Sequence, residues 1–416
     1  MWLRHTSATE RRTLLAAAAG YGVDGFDYMI YTFIIPTLLA VWGMSKAEAG
    51  TIATASLLSS AIGGWGAGVL ADRFGRVRIL EITVLWFAVF TCLSGFTRSY
   101  AELLWTRGMQ GFGFGGEWSV GSVLIAETIQ ARYRGRAAGL VQSSWAVGWG
   151  CAAIAYWGVY AILPAAHAWK LLFWMGILPG LLIVYIRRRV AEPPVFLEMR
   201  RRAGGAPDGG HFLAIFHPQW LRTTLLASLL SAGMLGAYYS VSTWLPTFLA
   251  TDRHLSVAGT AGYLLVMIGG SFLGYLASAW LSDALGRRRC ILVFAVCGAV
   301  LVVAYVRIPI GGVRLLLLGG PLGFFNSGIF AGMGAYLAEL YPGDLRGSGQ
   351  GFAYDFFGRA LGALCPALIG VLSARYVLGD LIGAMTAGAY AVVIIAALTL
   401  AETRGRAFSP AADAAI

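Results

Sequence analysis

The chain has 416 residues, 58% of them hydrophobic and only 12% charged, with 56 glycines and a formal net charge of +11. An ordinary soluble domain is about 45–50% apolar and about 25% charged. Too few charges are present to clothe a water-soluble surface, which excludes a soluble enzyme, a disordered chain and a nucleic-acid binder and points to a polytopic membrane protein.

Taken in chain order, twelve runs reach the roughly 20 apolar residues that a spanning helix needs: 13–41, 48–70, 80–97, 103–127, 137–161, 170–186, 222–250, 256–282, 290–306, 315–339, 348–374 and 380–401. The basic start (Arg4, Arg11, Arg12) leads into a run of spanning length with no cleavage pattern, so it reads as a retained first span. The longest stretch between runs, 187–221, holds two arginine triplets and a Gly/Pro-rich segment, and separates six spans from six. This predicts an N-terminal bundle (1–190), a cytoplasmic linker (191–219) and a C-terminal bundle (220–416). With the N-terminus inside, the inner loops hold 22 Lys/Arg and the outer loops 7. That asymmetry places both termini in the cytoplasm of a cell whose inner membrane the chain crosses. The five cysteines lie in apolar runs without metal-type spacing and are expected to be free packing residues.

Two loops recur. Gly68 to Arg78, with Asp72, Arg73, Gly75 and Arg76, follows the second run; Ala279 to Arg289, with Asp283, Gly286 and Arg287, follows the eighth. Glu127 and Arg134 close the fourth run as Glu339 and Arg346 close the tenth, and the offsets are 211 and 212 residues. A parallel repeat of six helices implies a pseudo-two-fold along the membrane normal and a site between the halves.

The loop Gly68–Arg78 resembles the cytoplasmic loop motif of the major facilitator superfamily, and Arg107 with Gln110 and Gly111 resembles its fourth-helix motif. Glu192 with the following prolines, and Glu402 with Arg404, resemble the segments that close each half. Asp24-Gly25-Phe26-Asp27 resembles the aromatic-acid and sialate/proton symporter branches, Gly115-Gly116-Glu117-Trp118 resembles related metabolite/proton symporters, and Gly358-Arg359 to Ala363 resembles the eleventh helix of the aromatic-acid branch. The second loop departs from the pattern at Ala279 and Ala284. The resemblance implies an all-α integral membrane fold of twelve helices in two halves. It also implies gating by ion pairs at the loops: Asp72, Arg73, Arg76 and Arg78, Asp283 and Arg287, Glu127 and Arg134, Glu339 and Arg346.

An ionisable group at the bilayer centre costs about 2.5–3.5 kcal/mol on insertion scales, so each one needs a reason. The interior set is Asp24 and Asp27, Arg107 and Glu117, and Asp355 and Arg359; the third run of each triplet carries no interior charge and is expected to face lipid. Asp24 and Asp27, three apart, are expected on one helix face near the midplane. There they either share and carry a proton or satisfy each other structurally. No histidine falls in a span, so proton coupling must use carboxylates: Asp24, Asp27, Glu117 and Asp355. Arg359 offers a bidentate fork for a substrate carboxylate, with Asp355 four residues away as a resting partner or a permanent bridge. Arg107 is expected near the outer end of its span, where it can snorkel or take part in coupling. Tyr28, Tyr31, Gln110, Trp118, Tyr238, Tyr239 and Asn326 complete the candidate pocket, with Trp145, Trp149 and Phe325 at similar depth.

Gly111, Gly113 and Gly116 match a dinucleotide fingerprint but lie in an apolar span with no preceding strand, so close helix packing is the better reading. No phosphate loop, catalytic set or metal cluster appears. The fifth run contains no proline, which favours symport or uniport over drug efflux. The expectation is a proton-coupled symporter taking up an organic-acid anion, with the proton as its coupling ion and no cofactor, no nucleic-acid partner, and a monomer as the working unit. A sugar or drug carrier, possibly an antiporter, and a transporter-like nutrient sensor are the alternatives; the short tail after Glu402 disfavours the sensor.

Overall fold

The computed structural model describes residues 5–130, 133–178, 180, 185, 186, 190, 192, 209–308, 312–342 and 345–404. The twelve long helical segments among them are α1 Ala8–Trp42, α2 Lys46–Phe74, α3 Arg76–Ser94, α4 Tyr100–Thr128, α5 Arg134–Ile162, α6 Ala165–Met175, α7 Pro218–Thr251, α8 Val257–Leu285, α9 Arg287–Arg307, α10 Val313–Glu339, α11 Arg346–Leu372 and α12 Leu378–Thr399. All but two are long and apolar enough to cross a membrane. The exceptions are α4, which carries Glu102, Arg107, Glu117 and Glu127, and α6, whose continuation past Met175 lies largely outside the described residues, as do most of the linker and the tail beyond 404.

Helix starts follow from local chemistry. The Ser7 hydroxyl accepts from the Glu10 N–H while Glu10 accepts from the Ser7 N–H, and Ser45 and Glu48 repeat the device at α2. Starting α1 at Ala8 makes it 35 residues long, about 52 Å, five residues earlier than the apolar run suggests. His167 falls in the first turn of α6 rather than in a loop.

The glycines of α4 are contact points. A side chain on Gly111 or Gly115 would overlap the α2 backbone at Ser56 or Ser60, and one on Gly113 or Gly116 would strike Thr83 of α3. Gly270, Gly274 and Gly323 let α8 and α10 meet backbone to backbone in the same way. α1 and α7 are the most deeply enclosed helices, whereas α3, α9 and α12 expose Leu85 and Val89, Val296 and Val300, and Ile395 and Leu398. Apolar side chains are displayed as fully on α5 and α8, at Ile154, Trp157, Leu273 and Trp280, so exposure does not set the third helix of each triplet apart. Arg76, Arg78 and Glu81 of α3 all fall in its first two turns.

The repeated loops fold alike. Gly75 and Gly286 sit between consecutive helices at φ 112° and 101°, a backbone that an L side chain rarely adopts. Glu192 then accepts from the Arg76 and Val77 N–H groups, both at 2.9 Å, and Glu402 accepts from the Arg287 N–H at 2.9 Å. Each half is thus tied at its basic end by a distant carboxylate capping a helix N-terminus.

Candidate functional site

One stripe of α1 presents Tyr21 and Asp24 to a cavity between the halves. α4 and α5 add Phe114 and Trp145; α7 adds Leu235, Tyr238 and Tyr239; and α8, α10 and α11 add Tyr275, Phe330, Tyr354 and Arg359. Eight of these eleven lining side chains are aromatic. Arg359 is 5% exposed, and its guanidinium lies 5.8 Å from the Phe114 ring and 5.9 Å from the Tyr354 ring, so cation–π contacts aim the fork from two sides. Asp355, one turn earlier, meets it at 3.4 Å and also engages Ser119 of the other half. The residues Gly351–Gly358 form a π-helical turn, a distortion that recurs at functional sites.

Asp24 and Asp27 do not act as one pair. Their surroundings differ: Asp24 lines the cavity, and Asp27 does not. Asp27 points into the α1–α4 seam, where Arg107 reaches it at 3.1 Å and Gln110 Nε2 donates to it at 2.8 Å; the Gln110 carbonyl accepts from the Ser56 hydroxyl at 2.9 Å. Asp24 turns to the cavity. Neither of its oxygens meets a hydrogen-bond donor among the described residues, and the first charged group beside it is Glu117, followed by Asp27 and Arg359.

Other expectations are corrected by packing. Arg107 does not snorkel: it is 1% exposed, clamped by Asp27 and flanked by the Tyr31 and Phe173 rings. Tyr31 donates to the Ala49 carbonyl at 2.7 Å and Asn326 accepts from the Tyr390 hydroxyl at 2.9 Å, so neither lines the cavity. Tyr28 also lies off the lining; it shares a 2.9 Å hydrogen bond with Thr243 of α7 and packs on Phe114, Trp145 and Tyr239. Trp149 and Phe325 are packing residues, the latter against Phe294 and Phe324. The side chains of Trp118, Asp72, Glu127 and Arg134 lie outside the described residues.

At the second loop Arg287 pairs with Asp283 and, at 3.3 Å, with Glu339, which also accepts from the Thr403 hydroxyl. Arg346 donates to the Ala338 carbonyl. These bonds all stay within one half. In the first loop Arg76 is buried, while Arg73 and Arg78 are exposed. Contacts between the halves run along the seam instead: Tyr28 with Thr243, the Trp145 indole donating to the Tyr238 hydroxyl at 2.5 Å, the Thr54 hydroxyl donating to the Ala363 carbonyl at 2.6 Å and, nearer the basic end, Asp355 with Ser119 and Trp65 with Phe356.

The cavity residues not anticipated from sequence are Tyr21, Phe114, Leu235, Tyr275, Phe330 and Tyr354. Tyr21 had a readable signal, sitting one turn before Asp24 on its face. Tyr275 and Phe330 had none, because only the packing of α8 and α10 turns them inward.

Residues 17–364 match the model of the Major Facilitator Superfamily. The chain is 38% identical, over 99% of its length and 95% of the relative's, to a probable 4-methylmuconolactone transporter of Cupriavidus pinatubonensis. It is 30% identical, over 95% of each chain, to the cis,cis-muconate transport protein of Acinetobacter baylyi. Among solved structures, the proton:xylose symporter XylE bound to 6-bromo-6-deoxy-D-glucose superposes with a TM-score of 0.77 at 17% identity, over 96% of this chain and 98% of that one. A repeated six-helix architecture enclosing a central cavity, and relatives of this length that are transporters rather than enzymes, lead to one assignment: the chain is a multi-pass membrane transporter of the major facilitator superfamily.

Proposed function

We propose that the protein takes up an organic-acid anion together with a proton, by alternating access of residues 1–190 and 220–416 about the central cavity. The observation that carries this reading is the presence of Arg359 and Asp24 in one aromatic lining, each buried and each placed by a different half. The substrate carboxylate takes the Arg359 fork, displacing Asp355 toward Ser119. Neutralising Arg359 removes a positive charge near Asp24, so Asp24 and Glu117 hold a proton more tightly once the anion is bound. By linkage the proton favours the anion to the same degree, which is the thermodynamic content of symport. The Asp27–Arg107 pair, sealed away from the cavity, anchors α1 to α4 and is a structural or secondary coupling element.

The surplus of arginine at the basic end supports a cytoplasmic position for that end and for both termini, in the inner membrane. The Tyr28–Thr243 and Thr54–Ala363 contacts then narrow the cavity on its outer side. The Asp72 and Asp283 loops act on the inner gate. The relatives named for 4-methylmuconolactone and muconate transport support a small organic substrate, and a single chain encloses the whole cavity, which supports a working monomer. Reconstitution in liposomes tests the coupling: an inward proton gradient should drive uptake above the equilibrium level. Uptake indifferent to that gradient would sink the symport reading.

A further inference from the structure

We propose that the arginine-rich end of the α7–α12 seam binds an anionic phospholipid, with the phosphate on Arg222 and an acyl chain in the groove beside it. Pro218, Leu221, Arg222, Leu225 and Leu226 recur at helical spacing along one face of α7 and line a groove of about 480 Å³ with Thr399, the last residue of α12. Leu229 extends that exposed face one turn deeper, and from Leu230 to Leu249 every residue of α7 is buried. The groove therefore opens at the rim of the bundle. Thirteen residues, or about 20 Å along the helix, separate Arg222 from Leu235 of the central cavity.

Its charge selects the occupant. Arg222 is exposed, and among the described residues no carboxylate pairs with it. The Thr399 hydroxyl is spent on the Ile395 and Ala396 carbonyls, at 3.0 and 2.9 Å, which leaves Arg222 as the donor among the described lining side chains. A second arginine borders the same turn of α12: Arg288 of α9 donates to the Leu398 carbonyl at 2.8 Å. Glu402, three residues past Thr399, is turned to the N–H groups of Arg287, Thr403 and Arg404. A free inorganic anion would leave the leucines without an apolar partner, and a neutral lipid would leave the guanidinium without an anion. A zwitterionic headgroup would bring its own ammonium toward two arginines. A lipid of net negative charge satisfies both surfaces, as at other basic pockets between spanning helices.

Native mass spectrometry of the full chain in detergent reads the first lipid bound. Phosphatidylglycerol should be preferred to phosphatidylcholine with the same acyl chains by ~10-fold or more, about fivefold for each arginine within reach. Arg222→Gln should lower that preference about fivefold, whereas Arg222→Lys should keep it, since an ammonium serves a phosphate as a point charge. Leu225→Trp should weaken phosphatidylglycerol binding with both arginines in place, by filling the groove. Arg136→Gln, which removes an exposed arginine from the first turn of α5 in the other half, should change nothing.

Equal binding of the two lipids would overturn the proposal. So would an equal loss from Arg136→Gln, which would make the preference one of overall surface charge. Phosphatidylglycerol displaced by inorganic phosphate, with Leu225→Trp binding as wild type, would reduce the groove to a free-anion site. A dimer in the spectra that Leu225→Trp abolishes would give the groove to a second copy of the chain. Either result overturns the lipid assignment, and neither touches the transport reading.

Discussion

The two halves share a scaffold and differ in what they place in its centre. At the 211-residue offset, the loops keep their chemistry: Gly75 and Gly286 take the same positive φ, and Glu192 and Glu402 cap the helices that follow. Inside the membrane the match is lost. Leu235 stands where the first half has Asp24 and Tyr238 where it has Asp27, and at the 212-residue offset of the later helices Gly319 stands where it has Arg107; conversely, Ser143 and Val147 stand where the second half has Asp355 and Arg359. Asp24 and Leu235 nevertheless line the same cavity. Symmetry thus brings equivalent positions to one place, and divergence gives one half its paired carboxyls and the other its guanidinium. A loop that must fold the same way twice constrains its residues through the backbone; a cavity wall constrains only shape, so its chemistry is free to differ.

The strongest break in that comparison is Arg359. Arg359→Ala should abolish binding and uptake, leaving the anion without its counter-charge at a cost of about 3–5 kcal/mol, and Arg359→Lys should restore only part, since a point charge lacks the planar fork. Transport of a neutral sugar with equal rates in wild type and Arg359→Ala would refute the anion assignment.

Asp24 and Asp27 come next, because three residues of separation should give opposite phenotypes. Asp27→Asn strands Arg107 in the α1–α4 seam and should lower stability by about 3–5 kcal/mol, read as a large drop in melting temperature. Asp24→Asn removes a carboxyl that lacks a donor, so stability should hold or rise. Uphill uptake should fail in this variant while counterflow exchange survives. Equal melting temperatures for the two would show that the Arg107 pair anchors nothing.

At the loops, Glu192→Gln and Glu402→Gln should each weaken a charge-assisted cap worth about 1.5–3 kcal/mol, and by similar amounts if the halves are equivalent there. Unequal losses in denaturant titrations would mean that the repeat is geometric only. The smallest effect is expected at the seam between halves: Thr243→Val deletes one hydrogen bond to Tyr28, worth about 0.5–1.5 kcal/mol. Cysteine probes in the cavity should then label faster from the outer face; unchanged labelling would place the outer closure elsewhere.

The membrane class, the helix count, the six-plus-six repeat and the interior charges were legible in the residues alone, because each follows from a local quantity: an apolar run, an arginine-rich loop, an ionisable residue in the wrong solvent. So was the pairing of Asp355 with Arg359, since a helix fixes what lies four residues away. Which charge meets which across helices came from packing. Asp27 belongs to Arg107 because the length of α1 and the glycine-tight approach of α4 to α2 set the depth and rotation of the seam. Asp24 faces Glu117, and Tyr31 and Asn326 leave the pocket, by that same rotation. Depth along one helix can be counted in residues, whereas its azimuth depends on every neighbour that packs against it.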